Sequence, residues 1–283
     1  MIKKNSQLIN KSYRFSVAPM MDYTDRHYRV IMRQISKKAL LYTEMIVAQA
    51  LFHTKNINYL LDFDEIEHPI ALQVGGDNPQ QLALASELAK EWGYDEINLN
   101  VGCPSPRVQS GNFGACMMKD PDLVAKCIES MVKASDLPVT IKHRTGIDNL
   151  DNKKTLLNFV DNTASAGAKR FSIHARKAWL KGLNAKQNRE IPPLEYEKVA
   201  YIKNERPNLL IELNGGLKTI EDCINGLSTF DGVMVGRSAY EHPLRWTNVD
   251  EIIFGENPQK IKASEIIRKI IPYTEKHLKN NGK

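Results

Sequence analysis

Four cysteines in 283 residues, Cys103, Cys116, Cys127 and Cys223, are too few and too scattered for a disulfide framework. No two follow a C-x-x-C spacing and no histidine pair completes a zinc pattern, which excludes a zinc finger or ribbon. No apolar run approaches the length that spans a bilayer. The opening "MIKKNSQLIN" is followed by no long apolar segment, so it does not read as a secretory signal. Tandem repeats and low-complexity tracts are missing too. The expectation is a cytoplasmic globular protein with free thiols and no membrane attachment.

What is present suits a folded chain. Hydrophobic residues make up 42% and charged residues 25%, enough for a sizeable core under a polar surface. The net charge of +6 hints at a polyanionic partner. A composition rich in Lys, Asn and Ile accounts for part of that basicity equally well.

Short β-type runs recur, each followed by a helical stretch. They are "RFSVAPM" (14–20), "ALLYTEM" (39–45), "IALQVGG" (70–76), "EINLNVG" (96–102), "PVTIKHR" (138–144), "RFSIHAR" (170–176), "LLIELNGG" (209–216) and "GVMVGR" (232–237). Between them, "NPQQLALASELAKEW" puts Leu82, Ala85, Leu88, Ala89 and Trp92 on one helical face. Asn78 suits its N-cap, with Pro79 at the first helical position. Eight such units predict an α/β fold, a (β/α)8 TIM barrel, over residues 1–255. A doubly wound sheet is the rival, but the first unit has no G-x-G-x-x-G turn. "EHPLRWTNVDEIIFG" reads as the last barrel helix. Residues 256–283 form a short C-terminal helical segment, interrupted or kinked at Pro272.

In a parallel barrel the chemistry collects where the strands end. Here those ends are Pro19-Met20-Met21, Glu44, Gln73, Asn98-Asn100-Cys103, Lys142-Arg144, His174-Arg176, Asn214-Gly215-Gly216 and Gly236-Arg237. One polar strand end marks a turn; so many on one face suggest a site. The glycines after the seventh and eighth runs let backbone N–H groups approach a ligand closely, and Arg237 adds a fixed cation. Together they suggest a phosphate subsite, the alternative being that each glycine only shapes a turn. Lys142 ends an apolar strand, where a lysine needs an anion unless it reaches solvent. With Gln73 it could meet the polar edge of a flavin and stabilise its reduced anion. His174 reads either as a core histidine or as part of the site. The loop after it, "AWLKGLNAKQNREIPP", mixes Trp179 with Lys181, Lys186 and Arg189, as a nucleic-acid groove does, although a solvated loop explains any one of these cations.

The cysteines sort by context. Cys127 and Cys223 share apolar helical faces and read as buried small hydrophobes. Cys116 has no evident role. Cys103 alone sits at a strand end on the presumed catalytic face.

The stretches "APMMDYTDRHYR", "LQVGG", "NLNVGCPSPRVQSGNFGAC", "IKHRTGID", "IHARKAWLKGL", "KQNREIPPL", "LNGGLK" and "GVMVGR" resemble the tRNA-dihydrouridine synthases, with the A-type subfamily the nearest match. The resemblance covers about residues 14–255 and continues weakly beyond. It implies an FMN-dependent enzyme, supplied with electrons by NADPH, that reduces uridine in the D-loop of tRNA at positions 20 and 20a. It implies that Pro19, Met20 and Met21 meet FMN through backbone, and that Gln73, Lys142 and His174 meet its ring or the adjoining uridine. Asn214, Gly215, Gly216, Gly236 and Arg237 would hold its phosphate end, and Asn100 would help position the uridine. Arg144, Arg176, Lys186 and Arg189 are carried over as tRNA contacts.

The implied chemistry is hydride from N5 of FMN to C6 of an extruded uridine, and a proton from Cys103 to C5. A thiol of ordinary acidity, with a pKa of about 8.5, can supply that proton at neutral pH. Two departures stand out. The family continues further in its helical domain than "KHLKNNGK", so fewer tRNA contacts are expected there. Pro106 in "CPSPRVQ" should stiffen the start of the loop, leaving its motion to "QSGNFG". Two other readings stay open: a flavin reductase of free pyrimidines, and a non-catalytic tRNA-binding protein. A monomer is expected, because a tRNA needs one open face.

Overall fold

The computed structural model describes residues 11–281. Nine strands make one parallel sheet: β1 Phe15–Val17, β2 Leu41–Tyr42, β3 Ile46–Val47, β4 Ile70–Gly75, β5 Glu96–Val101, β6 Val139–Arg144, β7 Arg170–His174, β8 Leu210–Asn214 and β9 Gly232–Val235. Their order is β1-β9-β8-β7-β6-β5-β4-β2, with β3 also on β4. The sheet closes on itself where Leu40 donates to Phe15 at 3.1 Å and Val17 donates to Leu40 at 3.0 Å. This is the expected (β/α)8 barrel.

The second stave differs from the single run 39–45. It breaks after Tyr42, because the hydroxyl of Thr43 takes the N–H of Gln73 at 3.0 Å in place of a main-chain carbonyl. β3 then resumes the ladder further along β4, with Ile46 opposite Val74.

Alternation along the strands sorts the side chains. Ile97, Leu99, Val139, Ile141, Phe171, Ile173, Ile211 and Leu213 pack outward into the main core under the helices. The residues between them point inward, so the barrel interior carries Glu96, Asn98, Thr140, Arg170, Ser172 and Glu212, all buried. Apolar filling inside is a small cluster of Ala18, Leu40, Tyr42, Ala71 and Met234. Such barrels usually fill with branched aliphatics. The charges here pair instead: Arg170 donates to both oxygens of Glu96 at 2.8 Å, and Glu212 accepts from Ser16 and Ser172.

The helix after β4 spans Pro79–Glu91, and Asn78 caps it by accepting from Gln80 at 2.9 Å and Gln81 at 3.1 Å. Its face is as expected for Leu82, Ala85 and Ala89, with Leu88 and Trp92 at the margin. The expected last barrel helix is divided into Arg237–Glu241, a 3-10 turn Pro243–Trp246, and Val249–Phe254. Pro243, lacking an N–H, ends the first piece, and Trp246 fills the break, fully buried with its ring 5.3 Å from that of Phe15.

The C-terminal helix Ala263–Asn281 lies on the first helix, Arg26–Ile35, where His27 meets Tyr273 at 2.9 Å. It runs unbroken through Pro272. The residue whose carbonyl that proline leaves without its helical partner, Arg268, is exposed. No helix among the described residues is long and apolar enough to cross a membrane.

Candidate active site

Parallel register brings the predicted residues to one mouth. Asn100 lies opposite Lys142 across β5 and β6, Arg144 opposite His174 across β6 and β7, and His174 opposite Asn214 across β7 and β8. The turn after β1 joins them: Ala18 donates to Val235 at 2.8 Å, and Met20 lies beside Gly236. Thr24 caps that turn, its hydroxyl accepting from the N–H of Met20 at 2.9 Å. Pro19 and Met20 are half-buried and Met21 is exposed.

Cys103 is half-buried at the end of β5. The side-chain oxygen of Asn100 accepts the N–H groups of both Gly102 and Cys103, at 3.1 and 3.0 Å. The carbonyl of Cys103 accepts from Ala115 at 2.8 Å. A methyl at Gly114 would fall 2.6 Å from that carbonyl, and Gly114 has φ of +76°, so glycine is required there.

The loop that follows is largely folded. Pro106 occupies the first turn of a short helix, Pro106–Ser110, and a 3-10 helix runs Gly114–Lys119. Gln109 donates to Pro104 at 2.8 Å and to Leu180 at 3.0 Å, and Phe113 is buried in the core. The segment expected to carry the motion is therefore held at both ends, leaving only residues 110–112 exposed.

The other cysteines are inert by placement. Cys127 and Cys223 are fully buried, and burial pushes both thiols up to about 12. Burial also raises Cys116, whose thiol donates to Phe113.

The electrostatics are strongly cationic. Lys142 donates to Asn214 at 3.0 Å, and Asn214 donates on to Met234 at 2.8 Å. Burial, then the neighbouring Arg144, lowers Lys142 to about 8. His174 is held neutral, well below its ordinary range, by burial and by Arg144, Lys142, Arg176 and Arg189. Gln73 is buried and bonded to Asn98 and Asn100.

Gly215 and Gly216 have φ of +109° and +78°. A methyl on Gly215 would meet His174 at 2.7 Å, and one on Gly216 would meet the hydroxyl of Tyr196 at 2.5 Å. The chain after β8 thus runs too close to its neighbours for any side chain. Arg237 pairs with Glu190 at 2.8 Å at the surface.

Arg144 was expected among the tRNA contacts. The residue is 3% exposed, and its guanidinium donates to Gly102 at 2.8 Å, Lys177 at 3.1 Å and Asn188 at 3.0 Å. Burial lowers it to about 10. It therefore ties the loop after β5 to the loop after β7. Arg176 donates to the carbonyl of Pro192, bracing the same loop, whereas Lys186 and Arg189 are exposed.

Asn188, between those two cations, was not singled out in the sequence. It is fully buried, takes the N–H of Trp179 at 2.8 Å and donates to Trp179 at 2.9 Å. Nothing in a polar run such as "KQNRE" marks which residue turns inward. The same holds for Tyr196, whose hydroxyl donates to Gly215 at 2.8 Å. Among the described residues no group of His, Cys, Asp and Glu is arranged to hold a metal.

Comparison with known proteins shows the family. A family model described as dihydrouridine synthase (Dus) matches residues 16–283. A tRNA-dihydrouridine(20/20a) synthase of Synechocystis is 53% identical over 268 residues, covering 95% of this chain and 80% of its own length. Its namesake in Shewanella oneidensis is 48% identical over 284 residues, covering 100% and 84%. That of Pseudomonas aeruginosa is 50% identical over 271 residues, covering 96% and 81%.

Proposed function

The chain belongs to the dihydrouridine synthase family, and from that premise we propose that it reduces uridine to dihydrouridine in tRNA, at positions 20 and 20a as its relatives' names specify. The observation that carries this reading is the seating of Cys103. Asn100 holds its N–H at 3.0 Å, at a mouth shared with Lys142 and His174 from the next two strands.

The residues present fit FMN. Gly215 and Gly216 carry the chain after β8 through φ of +109° and +78°, a main-chain turn at the mouth that side chains would block, and Arg237 stands at the next strand end as a cation for a phosphate. Lys142 and Gln73 offer donors toward a flavin's polar edge. When bound and reduced by NADPH, FMN supplies the hydride for C6 of uridine.

The chain's own residues do the rest. Cys103 gives its proton to C5. Asn100 keeps the thiol's loop in place. The Lys142 ammonium favours an anion beside it, and neutral His174 adds a hydrogen-bonding group without further positive charge. The target base reaches these groups only when extruded from its stack. Lys186 and Arg189, exposed on the loop after β7, take phosphates of the tRNA, while Arg144 braces that loop from below. The protein acts in the cytoplasm on one tRNA per monomer.

Incubation with FMN, NADPH and unmodified tRNA, followed by assay of dihydrouridine at each position, tests the reading. Product at 20 and 20a is expected. Turnover of free uracil as fast as tRNA, or tRNA binding without bound flavin, would overturn it.

A further inference from the structure

The barrel interior holds an ordered series of polar side chains between the ion pair at its base and the loop of Cys103. Asn100 donates from Nδ2 to the side-chain oxygen of Gln73 at 2.9 Å. Gln73 donates to the oxygen of Asn98 at 2.8 Å. Asn98 donates to the hydroxyl of Thr140 at 2.9 Å, and Thr140 donates to Glu96 at 2.6 Å. Asn98 and Thr140 are fully buried, Gln73 is 1% exposed and Glu96 is 5% exposed.

Every bond in this series runs one way. The reason lies at its end. Arg170 has only donors, and it donates to both oxygens of Glu96 at 2.8 Å. Glu96 therefore accepts from Thr140 and has no proton to return. The Thr140 oxygen is left to accept, so Asn98 must present its NH2 there and its oxygen to Gln73. The same logic makes Gln73 present its oxygen to Asn100. Asn100 is then left with its oxygen facing Gly102 and Cys103, which is the orientation their N–H groups need.

Turning any one amide over sets donor against donor and acceptor against acceptor, and the Gln73 and Asn98 amides are buried away from solvent. We propose that Glu96, Thr140 and Asn98 are positioning residues for Cys103. They fix which way the Asn100 carboxamide points, and so where the thiol stands, through this one-way chain. The inference rests on the reading of Cys103 as the proton donor, yet its physical part concerns the loop alone.

The test compares Thr140→Val, which keeps the shape and removes the hydroxyl, with Thr140→Ser, which keeps the hydroxyl and removes a methyl. In Thr140→Val, hydrogen exchange at the N–H groups of Gly102 and Cys103 should accelerate about tenfold, since a buried amide has lost its partner. Its kcat on tRNA, expressed per bound flavin, should fall about tenfold, with KM near wild type. Thr140→Ser should stay within about threefold of wild type on both readouts.

Wild-type exchange at Cys103 in folded Thr140→Val overturns the inference. So does a Thr140→Ser protein as impaired as Thr140→Val, which would make packing the cause. Should the wild type form no dihydrouridine, the proposed function fails, and the exchange comparison still judges the positioning. Should Thr140→Val not fold, nuclear Overhauser contacts in the unmodified protein decide. Contacts from the Asn98 NH2 protons to Thr140 support the chain, and contacts to Gln73 alone overturn it.

Discussion

The ammonium of Lys142 reaches the side-chain oxygen of Asn214 at 3.0 Å, bridging β6 to β8 across the mouth of the barrel. Burial holds Lys142 at about 8 before any ligand arrives, against 10.5 for an ordinary lysine. The polar edge of a flavin accepts a charge-assisted hydrogen bond from the protonated form. Flavin affinity should therefore be flat below about pH 8 and fall with rising pH above it, by up to about tenfold per pH unit. Fluorescence titration of FMN across that range measures it. Lys142→Met should bind more weakly and without the alkaline fall, and a wild-type curve flat through about pH 10 would contradict the assignment.

Cys103→Ala should keep its flavin and lose its chemistry. The substitution leaves the N–H that Asn100 holds and removes only the proton source. Dihydrouridine formation should drop roughly 10²- to 10⁴-fold, with flavin stoichiometry unchanged. Undiminished turnover would end the proton-donor role.

Gly216→Ala tests the turn after β8. The new methyl meets Tyr196 at 2.5 Å on a backbone with φ of +78°, so both clash and strain oppose it. Loss of about 1–3 kcal/mol of stability is expected, together with FMN depletion on purification. Absorbance near the flavin band and thermal melting report the two effects separately. Full flavin content would move the phosphate elsewhere.

Lys186→Ala combined with Arg189→Ala should weaken tRNA binding without affecting flavin. Because each cation releases counterions from one phosphate, the salt slope of the affinity should shrink by roughly two. Filter binding at several salt concentrations gives that slope directly. An unchanged slope would show that these cations face solvent in the complex.

His143 lies outside the site, behind β6, and sets an acid limit. Its Nδ1 donates to the carbonyl of Arg144 at 2.8 Å, and its Nε2 is buried with no partner among the described residues. Burial lowers it to about 4 from 6.5. The unfolded chain binds this proton first, so the contribution is intact above about pH 6.5 and is lost as pH falls toward about 4. His143→Phe should remove on the order of 2 kcal/mol of the stability difference between about pH 7 and about pH 4.5. Urea melts at the two values give the comparison, and equal acid sensitivity in both proteins would refute the role.

The barrel and its active face were legible because strand runs and strand-end residues are local features. "EINLNVG" shows both its alternation and its terminus without reference to any other segment. What the alternation hid was its direction: Glu96, Asn98 and Thr140 face into the barrel, where their partners come from other strands. Arg144 reads from sequence as one more cation at a strand end, and only the fold reveals three carbonyls around it. Tyr196 is hidden for the same reason, since its partner lies on another strand end, whereas Asn188 is defined by the folding of its own loop around Trp179, Leu183 and Asn184. The break in the second stave and the division of the last helix depend on Thr43 and Trp246, whose partners are equally remote.

Arg144 also bears on how such an enzyme could be redesigned. It grips the carbonyl before Cys103 and the carbonyl of Asn188 with one planar group. The loop that carries the thiol and the loop that carries the exposed cations are therefore one mechanical part. Grafting either of them alone from a relative with another target nucleotide would leave this arginine fitted to a backbone that had moved. A working chimera should need both loops and the end of β6 exchanged together, as a cassette.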